Sequence, residues 1–94
     1  MGGAAMLMRN LPVQVLAACD TQGGMKPLRF RFEDCSHRLH TVHVAEILDG
    51  RRVEYVGLEA FVFLCKAETE GREKLYELRY TVATHRWTLT KELY

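Results

Sequence analysis

The segment P-L-R-F-R-F-E at residues 27–33 alternates without a break. Leu28, Phe30 and Phe32 fall on one parity; Arg29, Arg31 and Glu33 fall on the other. A helix would scatter these side chains around its circumference, whereas a strand sorts them onto two faces. The same period returns near the end of the chain. Tyr76, Leu78, Tyr80 and Val82 share an inward parity, with Leu75, Glu77, Arg79 and Thr81 outward; after a turn, Trp87, Leu89 and Leu93 point in and Thr88, Thr90 and Glu92 point out. Two strands that each bury one face need further strands to complete a core.

The remaining segments supply them. L-P-V-Q-V-L-A-A-C-D (11–20) is a strand candidate, and T-Q-G-G-M (21–25) a turn. D-C-S-H (34–37) turns the chain into a long β-rich run over 37–48, and Asp49-Gly50 is a strong short-range hairpin signal from which 51–58 returns. E-A-F-V-F-L-C-K-A (59–67) is apolar on both parities, Phe61, Phe63 and Cys65 against Val62 and Leu64. Such a strand is covered on both sides. Its second cover is expected from a barrel wall, the leader segment or another subunit. Lys66–Leu75 favours a short helical turn, but Gly71 and the flanking strands argue against a long helix. The expectation is an all-β antiparallel meander of about seven strands, in which sequence neighbours pair, forming a small closed or partly open barrel. Residues 1–10 read as a flexible leader and 11–94 as a single β domain.

A net charge of +1 gives no overall basic field, so any nucleic-acid or membrane-surface binding needs a local patch. Three cysteines with no close pair, Cys19, Cys35 and Cys65, argue against a disulfide framework and for a reducing cytoplasm. No window approaches the apolar length of a membrane span.

Sites with chemistry are few. His37, His40 and His43 are spaced by three, which on a strand alternates their faces; His37 and His43 share a face about 20 Å apart, too far for one metal. Hydrogen-bonded histidines and no metal are expected. Ser36 and His37 are adjacent and diverge on an extended chain, so they form no catalytic dyad. No phosphate loop or dinucleotide fingerprint occurs, and no cofactor, small-molecule substrate or catalytic residue is expected. The outward arginines Arg29, Arg31, Arg79 and Arg86 are candidate phosphate contacts. The alternative is a solvated face with partners such as Glu33, Glu54 and Glu77. Phe61, Phe63, Val62 and Leu64 are the candidate interface of a homodimer or other protein contact. Trp87, Tyr76 and Tyr80 read as core, since a stacking platform for bases needs aromatics on the solvent face.

Pro27, Arg29, Phe30, Phe32, then Tyr76, Glu77, Leu78, Thr84, Arg86, Trp87 and Leu89 together resemble a family of small bacterial domains of unknown function. In that family P-x-R-F-x-W precedes Y-E-L-x-x-D-x-x-T-G-R-W-x-L. The likeness spans roughly residues 12–93. Phe32 stands where Trp is usual, Thr81 where Asp is usual and His85 where Gly is usual. The resemblance implies an accessory module near DNA transactions, because related modules are associated with polymerase-like proteins of translesion synthesis. It implies no catalytic residue. The expected function is a non-catalytic, cytoplasmic interaction module that contacts nucleic acid in DNA repair or replication. The alternative is a structural protein–protein domain without nucleic-acid binding.

The turn Ala83-Thr84-His85-Arg86 fits a type I turn followed by one left-handed residue, which is His85. Histidine tolerates that conformation less well than glycine. His85→Gly is expected to leave the melting temperature unchanged or raise it. A clear fall in a thermal melt would refute this turn.

Overall fold

The computed structural model describes the backbone of residues 6–93 and the side chains of residues 10–93. Every regular element among the described residues is a strand: β1 (Met6–Cys19), β2 (Met25–Glu33), β3 (Leu39–His43), β4 (Glu46–Tyr55), β5 (Leu58–Thr69), β6 (Arg72–Thr81) and β7 (Arg86–Leu93). They form one antiparallel sheet in the order β3-β2-β1-β7-β6-β5-β4, curled into an open half-barrel. No helix is long and apolar enough to cross a membrane among the described residues.

β3 and β4 occupy opposite edges of this order, yet only Val44 and Ala45 separate them. In a flat sheet those edges would lie about 29 Å apart, at ~4.8 Å per strand. The extended chain from His43 to Glu46 reaches at most about 11 Å, so the sheet has to curl. Six antiparallel steps also leave β3 and β4 pointing the same way. The chain therefore runs on through the link and changes partner as it goes. Val44 N donates to Leu28 O on β2 at 2.9 Å, and Ala45 N donates to Lys66 O on β5 at 2.8 Å. Successive amides thus close the seam.

The core fills the concave side. Phe30, Cys65, Leu78 and Leu89 are fully buried, with Val42, Phe63 and Tyr76 nearly so. Phe30 on β2 meets Tyr76 on β6 edge to face at 5.2 Å, although β1 and β7 lie between those strands in the sheet. Trp87, expected inward, stacks on Phe63 at 5.8 Å and lies 5.0 Å from Tyr80.

Several expectations need correction. Neighbouring strands pair except at the seam, where β3 and β4 separate and β1 pairs with β7 instead. Residues 6–10, expected in the leader, begin β1, because β7 offers Leu93 and Glu92 as partners for Met6 and Leu7. Residues 1–5 lie outside the described residues. Asp49-Gly50 makes no turn; both residues lie inside β4, beside a bulge at Leu48. A Cβ on Gly50 would stand 3.2 Å from the Phe63 ring, so close packing places glycine there. The hairpin turn falls at Val56-Gly57, both at positive φ. A bulge at Leu28 turns that residue outward and seats Pro27 in the core instead. Another at Thr90 reverses parity in β7, so Glu92 lies opposite Tyr76, only 5% exposed, and Leu93 loses the inward place expected of it. An extra residue in one strand shifts every later side chain to the other face.

The last turn spans Val82–His85, one position earlier than expected, and His85 is its left-handed residue at φ +56°. Its Nδ1 also lies 2.9 Å from the Tyr80 hydroxyl. In the first turn, the Asp20 carboxylate accepts hydrogen bonds from Gln22 N at 2.9 Å and Gly24 N at 2.6 Å.

Phe30→Ala removes the ring that spans the barrel from β2 to β6. We expect a loss of about 3–5 kcal/mol in urea unfolding, the range for a buried phenylalanine. A loss below about 1 kcal/mol would show that the Phe30–Tyr76 contact is dispensable.

Candidate functional site

The outward face of β4, β5 and β6 is set by register. Arg51 pairs with Val62, and Val62 pairs with Arg79. The two arginines thus flank one buried valine, two strand spacings or about 10 Å apart. Their side chains line a hollow of about 710 Å³, with Tyr55, Glu77, Thr90 and Lys91. Glu77 organises its floor. Its Oε2 accepts the Thr90 hydroxyl at 2.7 Å, and its Oε1 lies 3.9 Å from both Arg51 Nη2 and Lys91 Nζ. The Glu77 side chain is 16% exposed, so its charge is held largely within the hollow. Arg51 is shared with Asp49, at 2.9 Å.

The four arginines selected by outward parity are all exposed, and none forms an ion pair with a described residue. They do not form one cluster. Arg29 and Arg31 stand on β2, beside Leu16 and Gln14 of β1, where they line a shallow hollow of about 220 Å³. Arg79 stands on β6, three strands away around the convex face, and Arg86 opens β7 opposite Thr81. Outward parity alone did not select Arg51, Lys91 or Tyr55. Arg51 and Lys91 join Arg79 because the bulges at Leu48 and Thr90 set the parity of β4 and β7. Tyr55 carried one available signal, an aromatic immediately before a short turn.

The candidate interface residues of β5 are differently placed. Val62 and Phe63 are buried, and Phe61 and Leu64 are half-buried. Phe61 and Phe63 pack into the core, and Val62 lies between the two arginines. The chain thus buries Val62 on the outer face by itself, whereas Leu64 on the same face is only half-buried. The largest apolar exposure on the β4–β5 hairpin is its tip: Tyr55 at 79%, Val56 at 83% and Leu58 at 55%.

Away from the link, the half-barrel opens into two clefts. Between β2 and β4, Met25, Gly50, Phe61 and Tyr80 line an apolar space of about 480 Å³, at whose rim Arg52 is paired with Glu59. Between β3 and β5, a space of about 440 Å³ gathers Asp34, His40, Lys74, Tyr76 and Glu92. Lys74 Nζ lies 3.9 Å from Glu92 Oε1. His40 Nε2 donates to Asp34 Oδ2 at 2.6 Å, and the Arg38 and Ser36 amides donate to Oδ1 at 3.0 and 2.8 Å. The His40 bond first, then the two amides, hold the Asp34 carboxyl at about 2. His37 Nδ1 meets Glu33 Oε1 at 2.7 Å. Two of the three spaced histidines are therefore bound to carboxylates. Cys65 is buried, and loss of water pushes its thiol up to about 12; Cys19 and Cys35 are exposed.

Comparison with protein-family models, curated proteins and solved structures finds no match. The functional reading therefore stands on these residues.

Asp34 has a pKa below its ordinary value of 3.8 in the folded chain. Its contribution to stability is thus fully present above that value and is lost as pH falls toward about 2. Asp34→Asn removes this acid-sensitive part. Thermal melts between pH 5 and 2 are expected to fall more steeply for the parent chain than for the variant; equal slopes would contradict the assignment.

Proposed function

We propose that this chain is a non-catalytic binding module whose convex face contacts nucleic acid through its phosphates. The observation that carries this reading is the set of exposed arginines Arg29, Arg31, Arg79 and Arg86, which have no ion-pair partner among the described residues. A guanidinium with no carboxylate to satisfy it has its donors available for phosphate oxygens. The net charge of +1 makes this a local interaction, dependent on these side chains and not on a general basic field. The accessory role in DNA repair or replication is part of the same proposal and comes from the resemblance in sequence alone.

A second reading, a protein–protein or homodimeric domain, draws on the exposed apolar tip at Tyr55, Val56 and Leu58. Of the candidate interface residues, Val62 and Phe63 are buried by the chain itself, and Phe61 and Leu64 remain half-buried.

Fluorescence anisotropy with labelled single- and double-stranded oligonucleotides tests the reading. Binding at low salt is expected to weaken steeply toward physiological salt, as counterion release requires. Arg29→Glu/Arg79→Glu is expected to lower affinity by about tenfold or more and to flatten the salt dependence. Absence of binding at low salt would refute it.

A further inference from the structure

The β4–β5 hairpin carries an aromatic side chain with no role in the fold. Tyr55 is 79% exposed. Among the described residues its ring packs on no other, whereas Trp87 stacks on Phe63 and lies against Tyr80. Beyond the bulge at Leu48, Arg51, Val53 and Tyr55 share the outward parity of β4 and line the same hollow, which Arg79 enters from β6. The next residue adds a second anomaly. Val56 has φ +52° and Gly57 has φ +77°, the pattern of a type I′ turn. A β-branched residue is strained in that conformation, where asparagine or glycine is not. Val56 is 83% exposed, so burial returns nothing for the strain. Folding alone would favour another residue there, and contact with something outside the chain accounts for an apolar one.

We propose that Tyr55 is a stacking platform for one base of a single-stranded nucleic acid, with a neighbouring phosphate on Arg79. The inference rests on the nucleic-acid reading above and narrows it. Sequence-tolerant single-strand binders combine a cationic groove with an exposed aromatic ring, because every base has a π-face. The exposed ring and the unpaired Arg79 line one hollow here, beside Arg51, which pairs with Asp49 and approaches Glu77, and Lys91, which also approaches Glu77. A protein partner would use the apolar tip and would have to bring its own carboxylate for Arg79, whereas a nucleic acid carries a phosphate with every nucleotide. The Glu77 carboxylate in the hollow is already engaged by Thr90, Arg51 and Lys91; Glu54 also lines it. Bases in a duplex are stacked on one another and closed to the ring, so single strands are expected to bind more tightly than duplex.

The experiment compares oligothymidine, an abasic strand of equal length and a duplex, by anisotropy at low salt. Tyr55→Ala is expected to weaken oligothymidine binding about tenfold, to leave abasic binding unchanged, and to be rescued by Tyr55→Trp. Arg79→Glu is expected to weaken both strands. Melting of Tyr55→Ala at the parent temperature would exclude a folding defect. Unchanged oligothymidine affinity in Tyr55→Ala would overturn the stacking role while leaving the phosphate reading intact. Absence of binding to any strand would overturn both. A dimer in light scattering that Tyr55→Ala converts to monomer would place the tip in a self-contact, and would also overturn the proposal.

Discussion

The two-residue link between opposite sheet edges is the constraint on which the architecture depends. Val44 and Ala45 cannot bridge a flat sheet, so closure is enforced by chain length before any side chain is considered. Their amides then donate to opposite neighbours, Leu28 and Lys66. Because one continuous run serves two edges in turn, each edge is unpaired where the other is paired. The two clefts follow directly, one on each side of the link. One is lined mainly by apolar groups; the other holds Asp34, His40, Lys74 and Glu92.

The convex face is the other product of closure. Curling drives the large aromatics inward, where Phe30 and Tyr76 meet across the barrel. It leaves the arginines of β2, β4, β6 and β7 splayed outside. Spreading separates the group on β2 from the group around Arg79, so the basic residues form two groups on the convex face. The second is the richer, with Arg51, Lys91 and Tyr55 around a common hollow.

Period-two patterning made the strands, and much of the core, legible. Phe30, Tyr76, Leu78 and Leu89 could be placed inside by parity, and the left-handed role of His85 could be read from its turn. What misled was local information with a different cause. Asp49-Gly50 looks like a hairpin, but the glycine is there to admit the Phe63 ring. The bulges at Leu28, Leu48 and Thr90 have no sequence mark, yet each reverses the parity of the later residues in its strand; Glu92 enters the interior for that reason alone. The candidate site inherits this division. The outward parity of Arg29, Arg31 and Arg79 was readable, whereas the meeting of Arg51, Arg79 and Lys91 depends on bulges and long-range register.

The pairing of β1 with β7 also bears on how the chain reaches this state. β1 finds one of its two partners in β7, so Val13 and Trp87 close a loop spanning most of the described chain. That contact carries a large loop-closure entropy, and all-β chains rich in such contacts fold on the millisecond-to-second scale. Without β7, β1 has one open edge, and the meander of β4, β5 and β6 meets β1–β3 only around the link at Val44 and Ala45. Within the described chain β7 is the strand that joins the two half-sheets side by side.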